Sequence, residues 1–139
     1  MKVLLDASVL VAGLWQDHPE HRSAVRVLAS CRDGKETGCI SQHSVAEVYS
    51  QLSSLRTAPR FHPSSIRSVV GEVLWHLEIV PLDEADYIQA LDEAANLEVR
   101  GDAFSRLLNL RAAHKAGSRC VVSLDLESYP ATSLDLARP

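Results

Sequence analysis

The chain has 139 residues, enough for one domain, and a formal charge of −4 from 14 basic and 18 acidic side chains. Hydrophobic residues make up 46% and charged residues 23%, which excludes a disordered chain, a collagen-like repeat and a polybasic nucleic-acid tail. No apolar run approaches the ~18 residues of a membrane span, and Cys31, Cys39 and Cys120, with no paired spacing, read as small core residues of a reducing, cytoplasmic protein.

Lys2–Leu5 is a short apolar run that ends at Asp6, the pattern of a buried strand. Asp6 also interrupts the N-terminal apolar stretch, which therefore resembles a secretion signal only superficially. Ala7–Leu14 has the composition of a buried helix. Pro19 sits where the first turn of a helix accepts proline, and Ala24, Val25, Leu28 and Ala29 then recur at helical spacing until Gly34. Gly38–Ser41 reads as a second strand, and Gln42–Leu55 as a helix through Val45, Val48, Tyr49 and Leu52. Ala58–Pro63 is a loop, Ser64–Leu77 a helix and Glu78–Pro81 a third strand. Asp83 is placed to cap a helix that runs to Leu97. Gly101–Asp102 opens the next, which runs to Gly117. Arg119–Leu124 is a strand ending at Asp125, and Ser133–Leu136 a final edge strand. Strands alternating with helices imply crossover connections and a mainly parallel sheet covered on both faces, an α/β three-layer sandwich. No repeat or linker divides it, so residues 1–139 form a single domain.

Charge is unevenly distributed. Residues 21–67 carry +4, residues 68–99 carry −8 with no Lys or Arg, and residues 100–119 carry +4. Arg56, Arg60, His62 and Arg67 are the candidate track for an RNA backbone, with Arg22, Arg26 and Arg111 as competitors. His18 and His21 share one helix start, but no third ligand completes a metal set.

Ligands of open α/β sheets bind outside the carboxyl ends of the strands, and two strands here end in aspartate, Asp6 and Asp125. Each can be a helix cap. Glu47 is harder to explain that way: in SVAEVY it is flanked by Val45, Ala46, Val48 and Tyr49, and a buried carboxylate needs a cation or several donors. Together the three acids suggest a divalent-cation site of Mg²⁺ or Mn²⁺ type, which would activate water against a phosphodiester. Ser8 and Ser123 are polar neighbours of the acids, able either to hold a metal-bound water or to cap locally.

In these segments, LLDASVLVAG, ISQHSVAEVYSQL and HKAGSRCVVSLDLESY, the chain resembles the PIN-domain ribonucleases, in particular the toxins of VapBC-type toxin–antitoxin pairs. The resemblance implies a PIN-like α/β/α sandwich, a Mg²⁺- or Mn²⁺-dependent endoribonuclease acting on RNA through Asp6, Glu47 and Asp125, a cognate antitoxin and a homodimer. The apolar content of Ser64–Leu77, with Trp75 and Leu77, is the candidate dimer face. One departure matters. The family's third acid opens the helix ending in KAG, and counting back from His114–Gly117 puts Arg106 in its place. A guanidinium about 5 Å from a dication repels it by roughly 6–7 kcal/mol at an effective dielectric near 20. Arg106 can instead fork onto the acids directly. Asp102, four residues earlier, is either a helix cap paired with Arg106 or a displaced metal ligand. Two readings of the resemblance follow: a toxin with weakened nuclease activity, or a degenerate PIN domain that binds RNA or an antitoxin without cleaving. An unrelated cytosolic α/β module is the third. The chain lacks the second aspartate of the haloacid-dehalogenase phosphatases, the acid pair of response-regulator receivers, and any phosphate-binding glycine loop.

Overall fold

The computed structural model describes residues 1–139. Five strands form one sheet: β1 (Lys2–Leu5), β2 (Thr37–Ser41), β3 (Glu78–Val80), β4 (Cys120–Val122) and β5 (Asp135–Ala137). Their order is β3-β2-β1-β4-β5 and every pairing is parallel. The helices are α1 (Ala7–Leu14), α2 (His21–Arg32), α3 (Gln42–Ser54), α4 (Pro63–Leu74), α5 (Glu84–Leu97) and α6 (Phe104–Ala116), with short 3₁₀ turns at Gly101–Ala103 and Leu126–Ser128.

Alternation along the strands builds two cores, because successive side chains point to opposite faces. Val3, Leu5, Ile40 and Val122 pack with α1–α4 on one side. Leu4, Cys39, Val80 and Val121 pack on the other with Ala90 of α5 and Leu107, Leu108, Leu110, Ala112 and Ala113 of α6. The apolar runs around LLNL and VLVA follow from burial against the sheet, since residues 107–110 and 9–12 are all buried. Gly38 is required by close packing: a Cβ there would lie 2.6 Å from Leu77 and 2.7 Å from Cys31 Sγ. All three cysteines are buried and free, and burial pushes the Cys39 thiol up to about 12.

Helix α5 is tied to α6 by one buried carboxylate. Asp86 completes a capping box with Asp83. It also accepts from Arg111 Nη2 at 2.9 Å and Lys115 Nζ at 2.6 Å. Lys115 first, then the Asp83 amide and Arg111, hold the Asp86 carboxyl well below the usual carboxylate range. Arg111 is thus committed to an internal ion pair with Asp86.

Several expected boundaries shift for local reasons. Helix α2 begins at His21 rather than at Pro19, because the turn before it is closed by the Glu20 amide donating to His18 Nδ1. His21 bonds the Ala12 carbonyl across to α1, so Nδ1 of both histidines is used in local structure. Helix α4 starts at Pro63 under a His62 cap and stops at Leu74, short of the expected Leu77. Leu77 turns inward against the core, while Trp75 is left 86% exposed. The segment at Gly101–Ala103 is a 3₁₀ turn, and α6 starts at Phe104. No helix is long and apolar enough to cross a membrane.

Candidate functional site

The strand order reverses between β1 and β4, so the crevice of an open parallel sheet lies beyond their carboxyl ends. Leu5 pairs with Val122 in register, which puts the residues that follow, Asp6 and Ser123, side by side. Asp6 is 1% exposed. Its Oδ1 accepts the Ser8 amide at 2.9 Å, the N-cap bond of α1. Its Oδ2 accepts the Ser123 hydroxyl at 3.1 Å and the Tyr129 hydroxyl at 2.6 Å. Ser8 Oγ in turn accepts the Leu124 amide, and Ser123 Oγ the Asp125 amide. Asp6 is thus a helix cap and a pocket carboxylate at once, and the two serines fix the loop that carries Asp125.

Arg106 projects from the first turns of α6 into this pocket, with its side chain only 12% exposed. Its Nη1 lies 3.6 Å from Asp6 Oδ2 and its Nη2 lies 3.4 Å from Asp125 Oδ2. The two carboxylates that sequence placed at separate strand ends therefore share one guanidinium. Nε donates to Ser128 Oγ and Nη1 to Ser105 Oγ, both at 2.9 Å, and the guanidinium carbon lies 5.7 Å from the Tyr129 ring centroid. Burial alone would lower the Arg106 pKa. Asp6, then Tyr129, Asp125 and Glu47, outweigh that and hold it above its ordinary value.

Glu47 is half-buried on α3, one turn from the Ser44 hydroxyl, which approaches its Oε1 at 3.5 Å. Burial pushes its carboxyl up, the Asp6 charge adds to this, and His43 and Arg106 oppose it. No hydrogen bond or ion pair links Glu47 directly to Asp6 or Arg106; its close polar contact is the Ser44 hydroxyl. Its apolar surroundings are thinner than SVAEVY implies, since Ala46 and Tyr49 face solvent.

Asp102 neither caps α6 nor pairs with Arg106. It is exposed in the 3₁₀ turn, its main-chain carbonyl accepts the Ser105 hydroxyl, and its side chain makes no ion pair. The 3₁₀ geometry breaks the four-residue spacing that a pair with Arg106 required, and Asp6 and Asp125 offer the guanidinium two acceptors instead. Arg56 and Arg60 are exposed on the α3–α4 loop and Arg67 on α4, and none forms an ion pair.

Four contributors escaped the sequence reading. Tyr129, Asn109, Ser105 and Ser128 complete the pocket wall. Asn109, fully buried in α6, donates to Tyr129 at 2.9 Å and accepts the hydroxyls of Ser41 and Ser44 at 3.0 and 3.1 Å. A lone amide among the leucines of LLNLRAA is the sequence signal that could have exposed this network. Burial, followed by the Asp6 charge, pushes the Tyr129 hydroxyl well above the usual phenol range.

A family model described as PIN domain matches residues 3–119. The chain belongs to the PIN-domain family. Solved PIN-like structures overlay on nearly the full length. VapC20 from Mycobacterium tuberculosis, a sarcin–ricin loop cleaving toxin, has a TM-score of 0.71 at 16% identity, covering 91% of this chain and 92% of that one. FitAcB from Neisseria gonorrhoeae gives 0.67 at 21% identity, over 97% and 96%. VapBC2 from Rickettsia felis, bound to a DNA fragment from its promoter, gives 0.65 at 17% identity, over 100% and 99%. At these identities the likeness speaks for the fold. No curated protein matches the sequence.

The divalent metal that the PIN resemblance implies does not fit the residues present. No three acidic, histidine or cysteine side chains converge to hold an ion. Asp6 Oδ2 already accepts two hydroxyl protons, and the cation between Asp6 and Asp125 is Arg106. A Mg²⁺ ion needs near-octahedral oxygen geometry and close approach to its carboxylates, and here a fixed positive charge stands between them.

Proposed function

We propose that this protein is a degenerate VapC-like PIN domain that engages RNA and a cognate antitoxin in the cytoplasm, with metal-dependent phosphodiester cleavage held off by Arg106. The observation that carries this reading is the double ion pair of Arg106 with Asp6 and Asp125. It neutralises in place the charge that would otherwise recruit Mg²⁺ or Mn²⁺. Antitoxin pairing is supported by overlay on VapBC and FitAB complexes. RNA engagement is supported by Arg56, Arg60 and Arg67, exposed basic residues without internal partners and suited to backbone phosphates.

The other reading, a weakened but active endoribonuclease, draws on Asp125, whose side chain is 48% exposed. For that activity Arg106 would have to leave four side-chain partners at once, Asp6, Asp125, Ser105 and Ser128. A homodimer through α4 is supported by the exposed Trp75, with Val69 and the neighbouring Tyr49 of α3 also open to solvent.

An RNA cleavage assay with Mn²⁺ on the unmodified protein and on Arg106→Asp tests the reading. The unmodified protein should cleave slowly or not at all, and Arg106→Asp should cleave at least tenfold faster. Equal, Mn²⁺-dependent cleavage by both would overturn it.

A further inference from the structure

Tyr129 occupies a position between the two halves of the pocket. Its hydroxyl donates to Asp6 Oδ2 at 2.6 Å and accepts from Asn109 Nδ2 at 2.9 Å, while its ring lies 5.7 Å from the Arg106 guanidinium carbon. One side chain thus claims a lone pair on the carboxylate and offers its π-face to the cation. Its own placement is not free to change. Asn109 is held through Oδ1 by Ser41 and Ser44, so the tyrosine is the end of a buried, fully partnered chain that runs back to β2 and α3.

Asp6 has few acceptor sites left. Oδ1 takes the Ser8 amide, and Oδ2 takes Ser123 and Tyr129, with Arg106 Nη1 beyond at 3.6 Å. A carboxylate oxygen presents about two lone-pair directions, so on Oδ2 both are directed at hydroxyl protons. Arg106 is received in the same fitted manner: Ser128 and Ser105 each accept one of its N–H groups at 2.9 Å. An arginine merely tolerated in an old metal pocket would not need acceptors from three different segments.

We propose that Asp6, Ser105, Asp125, Ser128 and Tyr129 form a dedicated guanidinium site, and that Tyr129 is a second determinant, alongside Arg106, that keeps divalent cations off Asp6. This rests on the proposed function above and extends it. Replacing Arg106 alone vacates the cation's position but leaves Tyr129 bonded to Asp6 Oδ2, the oxygen that faces that position. Full recovery of a metal site therefore needs both changes.

Calorimetric Mn²⁺ titration, together with the Mn²⁺-induced rise in melting temperature, on four proteins tests this: unmodified, Tyr129→Phe, Arg106→Asp and the double variant. Tyr129→Phe alone should bind within twofold of the unmodified protein, because Arg106 remains. Arg106→Asp should bind at least tenfold more tightly than the unmodified protein, and the double variant at least fivefold more tightly again. A double variant within twofold of Arg106→Asp overturns the role of Tyr129 and leaves the proposed function standing. Equal Mn²⁺ binding by the unmodified protein and Arg106→Asp overturns both. Should Tyr129→Phe not fold because Asn109 loses its acceptor, Tyr129→Met, whose thioether sulfur is a weak acceptor and carries no proton for Asp6, replaces it and is read in the same way. Should an aspartate variant not fold, Arg106→Asn replaces it in both arms.

Discussion

Replacing Arg106 by Met keeps the length of the side chain and removes its charge and donors. Asp6, 1% exposed, then loses a cation 3.6 Å away. At an effective dielectric near 20 that attraction is about 4–5 kcal/mol. The contribution of Asp125 is screened, because its side chain is 48% exposed, and is set at less than about 1 kcal/mol. Two hydrogen bonds to Ser105 and Ser128 go as well, at roughly 1 kcal/mol each. Against these stands relief from burying the guanidinium, which takes back several kcal/mol. A net loss of about 2–4 kcal/mol at pH 7 is expected, overlapping the low end of the range for breaking a buried pair and falling partly below it because Asp125 is half exposed. For a chain of this length that lowers the melting temperature by roughly 7–14 °C. The pH dependence carries the diagnosis. Without the guanidinium the half-buried Glu47 carboxyl, already pushed up by burial, loses a cation that opposes that rise, so the folded protein binds protons more readily there than the unfolded chain does. Stability of the variant then falls as pH rises, and its deficit should shrink by about 1 kcal/mol or more between pH 7.5 and pH 5. Urea unfolding followed by circular dichroism at both pH values measures it. A variant within about 0.5 kcal/mol of the unmodified protein at pH 7, or a deficit independent of pH, would refute the claim that Arg106 holds the acids together.

Three further outcomes are expected. Asp86→Asn should destabilise by about 1–3 kcal/mol at neutral pH, since Lys115 and Arg111 lose their carboxylate. Because the folded-state value of Asp86 is depressed, its contribution is present above its unfolded value near 3.9 and is lost as pH falls below it, so the two proteins should converge in acid urea melts. Glu47→Gln should act in the opposite sense. Its folded-state value is raised, so the ionised form is penalised above that value, and the amide should stabilise the protein at pH 7 and make no difference below about pH 4; a destabilised variant at pH 7 would contradict the burial argument. Trp75→Glu should convert a dimer to a single species at the 15.2 kDa monomer mass in light scattering at micromolar concentration, and an unmodified protein already at that mass would dismiss the α4 interface.

The alternation of strand and helix, the parallel sheet and the carboxyl-edge aspartates were legible because each rests on a local rule: hydrophobic periodicity, capping chemistry and turn residues. Arg106 was legible only through the PIN resemblance, since counting back from His114–Gly117 sets it where that family carries its third acid. Asp102 was misread by the same logic. A continuous helix would set it one turn from Arg106, but the 3₁₀ turn at Gly101–Ala103 rotates it into solvent. Tyr129 and Asn109 could not be paired from sequence at all. Asn109 bonds Tyr129 20 positions away and Ser41 68 away, and Tyr129 reaches Asp6 across 123. Sequence alone thus determined the architecture and the strand-end acids, because these follow from short-range pattern, while the cation in place of an expected acid emerged from the PIN resemblance. Tertiary structure alone decided that the cation sits between Asp6 and Asp125 and that a tyrosine hydroxyl bonds Asp6 Oδ2, because those contacts exist only once β1, α6 and the segment after β4 are brought to one edge of the sheet.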